Sequence, residues 1–312
     1  MIVQRLGELR DPDRLPALVE LWNRALGPDF PMRPELLRQA WDRFVDEDAS
    51  GAVVEAGRPV AFLLAKQSAD LPWSEERRRR CWLSALAVNP DRQRDGLGSR
   101  LVARALEAFR AAGATGVTLG EDPGYLLSGD PAGRSLGFWR RYSLVERGVN
   151  TDMLVDLASW PAPDRLPELR PAREWAEVVR FLDRTVPGRW AWEAREHERV
   201  GTDPGRCLLL EADDGIAGFL VLSPPGSGPL IHPGRSWEAA LGGRVAGIGP
   251  LGIDPARHGQ GLGTGLVAAS LARLRDLGVD HVVADWTSRV TFYERLGFRV
   301  WRRNVRASIQ LD

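Results

Sequence analysis

Gly249-Pro250-Leu251-Gly252-Ile253-Asp254-Pro255-Ala256-Arg257-His258-Gly259-Gln260-Gly261-Leu262-Gly263-Thr264-Gly265-Leu266-Val267 reads as an apolar strand, a proline stop, a glycine-rich turn and a helix expected over 266–277. Such a turn points successive backbone N–H groups at one spot. The following helix adds the positive end of its dipole, so the spot suits an anion, most often a phosphate group. Gly261 and Gly263 let the backbone approach a ligand with no Cβ in the way.

The same text occurs earlier. Val88-Asn89-Pro90-Asp91-Arg92-Gln93-Arg94-Asp95-Gly96-Leu97-Gly98-Ser99-Arg100-Leu101-Val102 matches it position by position at a constant offset of 165. A lone glycine-rich turn is a weak signal. Two in the same strand–turn–helix context, half a chain apart, predict two copies of one domain. The 312 residues suit two such domains of about 150 each. Residues 158–167, with Pro161, Pro163 and Pro167, read as a linker between a first domain over 1–157 and a second over 168–312.

Lys+Arg and Asp+Glu both number 42, so formal charge is zero. That argues against a general binder of nucleic acid or anionic membrane. The two cysteines, Cys81 and Cys207, fall in different copies and point to a reducing compartment. The first ten residues lack the apolar core of a secretory signal, and no stretch approaches 18 uncharged apolar residues, so the expected location is the cytoplasm. His197, His232, His258 and His281 show no metal-ligand spacing, and no metal is expected. The run Arg77–Arg80 reads as part of a solvated loop, with a phosphate contact as the sharper alternative.

Three classes of phosphate-holding turn can be tested. A P-loop requires a lysine that neither turn has. A dinucleotide fingerprint requires a third glycine where this chain has Leu101 and Leu266. What remains is hydrophobic–x–Pro–x–x–[Gln/Arg]–x–x–Gly–x–Gly, complete as Val88, Pro90, Gln93, Gly96 and Gly98. This pattern is the signature of motif A of the GNAT N-acyltransferase superfamily. Thr291-Phe292-Tyr293-Glu294-Arg295-Leu296-Gly297-Phe298 resembles the later helix-and-strand motif of that family. The chain thus resembles a tandem pair of GNAT domains over nearly its whole length. The resemblance implies an α/β (α+β) fold, each domain a mixed, mostly antiparallel sheet flanked by helices.

The resemblance also implies acetyl-coenzyme A as cofactor. Its pyrophosphate is expected on residues Gln93, Arg94, Asp95, Gly96, Leu97, Gly98 and Ser99 of the first copy. The second copy offers His258, Gly259, Gln260, Gly261, Leu262, Gly263 and Thr264. The pantetheine is expected beside Ala87 and Val88, or beside Leu251, Gly252 and Ile253. Two departures stand out: His258 replaces the usual Gln or Arg, and Trp286 stands where an asparagine is common.

Acyl transfer to an amine needs a neutral amine, a donor for the oxyanion and a proton for the thiolate. Resemblance assigns the last role to Tyr293, and a phenol of pKa about 10 keeps that proton at neutral pH. Backbone N–H groups near Leu251–Ile253 are candidates to polarise the thioester. Asp285 and Glu238, the latter in a glycine- and proline-rich loop read over 223–243, are the candidate bases, although Asp285 also reads as a helix cap and Tyr293 as a core aromatic. In the first copy, aligning Phe138 with Phe292 puts Trp139 where Tyr293 stands, and indole is no acid. Tyr142 is a weaker substitute. The expectation is a catalytic second copy and a first copy that is catalytically degenerate. The acceptor is expected to be a small-molecule primary amine, and the chain a monomer or homodimer. Two rivals remain: acetylation of an amino-sugar-linked cysteine, as in mycothiol synthases of like architecture, and a non-catalytic acyl-CoA-binding protein.

Overall fold

A computed structural model describes residues 3–9, 13–27, 30–41, 44–67, 80–124, 126–226 and 236–311. Asp11 and Pro12, which read as the opening of a first helix, most of the Arg77–Arg80 run, His232 and residues 227–235 of the glycine-rich loop lie outside them. The chain divides into two compact units, Met1–Asn150 with Asn304–Asp312, and Thr151–Arg303. No described helix is long and apolar enough to cross a membrane.

The first unit opens with β1 (Val3–Arg5) and helices Leu15–Ala25 and Pro34–Trp41. Then come β2 (Gly51–Glu55), β3 (Arg58–Gln67) and β4 (Arg80–Val88). Helix Leu97–Ala111, β5 (Gly116–Leu119), the short β6 (Asp130–Pro131), helix Leu136–Trp139 and β7 (Leu144–Asp156), whose residues from Thr151 on belong to the second unit, follow. Strands pair antiparallel from β1 to β4, and β4 runs parallel to β5. The far side of β5 is covered antiparallel by residues 307–310 at the chain's end. One sheet face packs Leu101, Ala105 and Phe109 of the long helix on Leu63 and Val117. The other packs Leu18 and Trp22 on Phe62 and Leu64. The alternation along β3 thus puts apolar side chains on both faces, as a sheet covered on both sides requires.

The second unit repeats the plan. It contains β8 (Arg170–Pro171), helices Trp175–Thr185 and Arg189–Arg199, β9 (Cys207–Ala212) and β10 (Gly215–Ser223). Helix Ser236–Leu241, β11 (Val245–Ile253), helix Leu262–Asp276, β12 (His281–Thr287), helix Val290–Glu294 and the start of β13 (Arg299–Gln310), whose residues from Asn304 on belong to the first unit, complete the order. Here β11 and β12 are the parallel pair, and residues 151–156 of β7 cover β12 antiparallel.

Three local readings shift. Both long helices begin four residues before the apolar periodicity starts, directly after Gly96 (φ 79°) and Gly261 (φ 76°). Each glycine supplies the left-handed bend into the helix, so Gly98 and Gly263 sit inside its first turn. Glu238, expected in a loop, lies on helix Ser236–Leu241. Asp285, with a helix cap as its alternative reading, lies within β12, because the next helix starts only at Val290.

Candidate active site

Each turn is built by short-range chemistry. Asn89 accepts from the N–H of Asp91, and Asp254 from that of Ala256, which closes a single 3-10 turn after the strand. The N–H groups of Gln93 and His258 then donate to the carbonyls of Pro90 and Pro255. The first donor of each expected run is therefore engaged at home, and the later ones remain to face a ligand. Gly259 takes φ 80°, while its counterpart Arg94 takes φ 69° despite its Cβ. Strain of that kind persists where the surroundings enforce it, and it clusters at ligand clamps.

Behind each turn the sheet opens. The parallel ladder of β4 with β5 ends at Leu83–Leu119, and that of β11 with β12 ends at Gly247–Val283. Beyond these pairs, residues 84–88 and 248–253 have a parallel neighbour no longer. A β-bulge falls at the same place in both copies. Leu64 pairs Ala85 and Ala65 pairs Leu83, which leaves Ser84 extra; Leu220 pairs Leu251 and Leu222 pairs Ile248, which leaves Gly249 and Pro250 against Val221. Bulges re-aim side chains and interrupt pairing, and here they do so where the splay begins.

In the first unit the splay holds a cleft of about 700 Å³. Val88, Gln93, Arg94, Gly96, Leu97, Gly98 and Ser99 line it, together with Ser84, Asp130, Ser135, Phe138, Trp139 and Arg141. Ala87 is buried with the opposite core, beside Phe62. Asp95 is on the exposed rim, ion-paired to Arg92. Asp130 accepts from the N–H (2.9 Å) and the hydroxyl (2.8 Å) of Ser135, whose oxygen in turn accepts from the indole N–H of Trp139 at 2.8 Å. Burial pushes the Asp130 carboxyl up, against the hydrogen bonds from Ser135.

The aromatic residues settle the internal correspondence. Phe138 lies 3.5 Å from the place of a Cβ on Gly98, and Phe292 lies 3.6 Å from that on Gly263. Phe138 meets Trp139 edge-on at 4.8 Å; Phe292 meets Tyr293 edge-on at 5.0 Å. Trp139 and Tyr293 therefore occupy like positions.

In the second unit Tyr293 is buried between Phe292 and Phe298. Burial raises its phenol above the ordinary value, and the Asp285 carboxyl adds to the rise. Asp285 is half-buried as a residue, yet its Oδ2 is shielded from solvent. Burial, then Asp152, pushes its carboxyl well above the usual range, with Arg189 acting against them. Asp152 accepts from the N–H of Trp286 at 3.1 Å, and Trp286 itself takes φ 50°. Arg189 stands 5.7 Å over the Trp286 ring and donates to the buried Glu193 at 2.6 Å. Glu238 sits one residue from Trp237, which packs with Leu154, Val245 and Val283. Asp285 thus lies within electrostatic reach of Tyr293, and the groups acting on Asp285 are Asp152, Arg189 and Glu193.

Asp152, Arg189 and Glu193 carry no motif and were not expected from sequence. Ser84 did carry a signal: it is the one polar residue in the apolar run Cys81–Val88. Burial pushes the Cys81 thiol up to about 12 and Cys207 higher still, so neither is an activated nucleophile. Among the described residues no group of three or more His, Cys, Asp and Glu is placed to hold a metal ion.

Residues 15–125 and 169–298 each match the sequence family described as acetyltransferase (GNAT) family. A mycothiol acetyltransferase of Salinispora arenicola is 30% identical over 235 residues, 70% of either chain. A tandem GNAT protein from the clavulanic acid biosynthesis pathway superposes with TM-score 0.65 at 17% identity, over 100% of this chain and 98% of that one. A GCN5-related glucosamine N-acetyltransferase region of a fungal multi-domain β-N-acetylglucosaminidase superposes with TM-score 0.84 at 22% identity, over 99% of this chain and 38% of that one. Both structural likenesses concern the fold.

Proposed function

The chain belongs to the acetyltransferase (GNAT) family and is an N-acetyltransferase, and on that premise we propose a division of labour between its units. The C-terminal unit transfers an acetyl group from acetyl-coenzyme A to a primary amine of a small molecule. The N-terminal unit holds a coenzyme without turning it over. The observation that carries this is the pair Tyr293 and Asp285, a phenol and a carboxyl coupled behind the second turn, against an indole at the like position of the first.

The residues fit the coenzyme. Turn N–H groups beyond Gln93 and His258, with left-handed Gly96 and Gly261 behind them, suit a diphosphate. The opened strands at 84–88 and 248–253 give an extended arm a backbone to lie along. Acetyl-coenzyme A supplies the acetyl group as a thioester: the acyl C–S bond breaks, a C–N bond forms, the amine loses a proton and the thiolate gains one. Tyr293 keeps its proton at neutral pH because burial opposes the phenolate, so it is protonated when the thiolate needs it. Asp285, with its carboxyl raised, is a stronger base than an exposed aspartate once ionised. Glu238 is the second candidate base, acting through water. In the first unit the Trp139 N–H is committed to Ser135 and has no acidic proton to give.

The name of the curated relatives supports an acceptor of the kind mycothiol acetyltransferases use. The test follows free thiol release from acetyl-coenzyme A against primary amines, an amino-sugar-linked cysteine among them. Turnover is expected with at least one amine. Coenzyme binding without turnover on any of them would favour a binding protein instead.

A further inference from the structure

The N-terminal cleft contains a polar group that the reading above does not use. Ser84 is 1% exposed, its Oγ has no hydrogen-bond partner, and it lines the cleft. It is the bulge residue of β4, next to Leu83, where the parallel ladder ends. The bulge therefore takes the serine out of the alternation that buries Leu83 on one face and Ala85 on the other. A buried hydroxyl without a partner is costly and uncommon, and where one lines a cleft an acceptor on a ligand is the natural complement. Three other polar residues of the lining satisfy one another: Trp139 donates to Ser135, and Ser135 donates to Asp130.

The counterpart of Ser84 at the offset of 165 is Gly249, which has no side chain. The two bulges are alike in place; they differ in register, one extra residue in β4 against two residues facing one in β11, and in this hydroxyl. Residues 84–88 extend about 13 Å at 3.3 Å per residue, with Ser84 at one end and the anion-holding turn beyond the other. That span is comparable to an extended pantetheine arm. A ligand that sets a diphosphate on the turn thus brings the far end of its arm to Ser84. Free coenzyme A ends there in a thiol, a weak acceptor, whereas a thioester ends in a carbonyl oxygen.

Resting on the proposal that the N-terminal unit holds a coenzyme, we infer that its cleft is selective for acyl thioesters over free coenzyme A, with the Ser84 hydroxyl donating to the acyl carbonyl. Ser84 is a specificity-determining residue of a site that retains the thioester, and Gly249 leaves the C-terminal site without this selection.

The full chain, saturated with acetyl-coenzyme A carrying ¹³C at the acetyl carbonyl, tests this by infrared difference spectroscopy alongside calorimetric stoichiometry. Two equivalents are expected, with a carbonyl component displaced to lower wavenumber that Ser84→Ala abolishes. Preference of the N-terminal site for acetyl-coenzyme A over coenzyme A is expected to be about five-fold and to vanish in Ser84→Ala. Melting of the ligand-free protein guards against a structural explanation: Ser84→Ala should melt no lower than the parent, because the hydroxyl it removes has no partner. A lower melting temperature would assign the hydroxyl a structural role and overturn the inference. Two equivalents with an unchanged carbonyl band would overturn the role of Ser84 alone. A single equivalent in the parent chain would overturn the coenzyme-holding role on which the inference rests.

Discussion

The imidazole Nε2 of His258 lies 3.1 Å from the carbonyl oxygen of Ile253, five residues back along the chain. Gln93 makes the corresponding reach, with its Nε2 3.5 Å from the carbonyl of Val88. The residue at this position fastens the turn to the strand that precedes it, and either an amide or an imidazole N–H can donate. His258→Gln is therefore expected to leave coenzyme affinity intact. His258→Ala loses one exposed hydrogen bond of about 1 kcal/mol, so KM for acetyl-coenzyme A should rise about five-fold with kcat little changed. Steady-state kinetics at saturating amine read both constants.

Tyr293→Phe keeps the ring that packs against Phe292 and Phe298 and removes only the phenol. Loss of a positioned general acid costs roughly 10²- to 10⁴-fold in rate. Turnover followed by thiol release should fall within that range, while calorimetry with coenzyme A shows unchanged affinity. Trp139→Phe should leave turnover within about two-fold of the parent. Unchanged turnover in Tyr293→Phe would reject the assignment.

The turns were legible because glycine, proline and a constant offset are local signals, and Gly96 and Gly261 take the left-handed backbone that such turns need. The match of Trp139 with Tyr293 was legible for the same reason, through one aligned phenylalanine. The helix starts were not, because Gly98–Arg100 and Gly263–Gly265 carry no apolar periodicity to mark a first turn. Nor does a repeat in sequence reveal which strands share hydrogen bonds. Residues 307–310 pair with β5 of the first unit, and residues 151–156 pair with β12 of the second. Asp152 lies in the second unit by virtue of that pairing, 133 residues from Asp285, and no spacing rule connects the two. The Ser84 bulge needed the register of β3 against β4, which alternation alone does not fix when both faces are apolar.

Asp285 gives the second unit a pH dependence whose sign follows from its raised carboxyl. A group that binds its proton more tightly when folded contributes stability below its unfolded pKa, here about 3.9, and loses it as pH rises through the folded value. Thermal midpoints of the parent should therefore decline above about pH 4 relative to Asp285→Asn, which stays neutral throughout. The gap grows by about 1.4 kcal/mol per pH unit until the carboxyl ionises. Parallel melting curves for the two proteins across pH 4 to 8 would show that the carboxyl is not raised. The same variant should lose turnover if Asp285 is the base, which separates it from Glu238→Gln.

Gly252 faces a contact that its counterpart Ala87 avoids. Both pair across the sheet with a phenylalanine, Gly252 with Phe219 and Ala87 with Phe62. A Cβ on Gly252 would lie 2.6 Å from Cε1 of Phe219 and 3.4 Å from Cζ3 of Trp190. Phe219 has little room to move, because Trp190 and Phe181 meet it edge-on at 6.1 and 6.0 Å. Phe62 has a stacked partner instead, Trp22 at 6.3 Å, and its ring accommodates the methyl group of Ala87. Gly252→Ala is therefore expected to destabilise the chain by about 1–3 kcal/mol, the cost of overpacking a filled core. Replacing Phe219 by Leu frees the space the methyl needs, so the two changes together should cost less than the sum of each alone. Denaturant unfolding of the four proteins of that cycle measures the coupling. Strict additivity would mean that the close approach of Gly252 to the Phe219 ring does not constrain the strand.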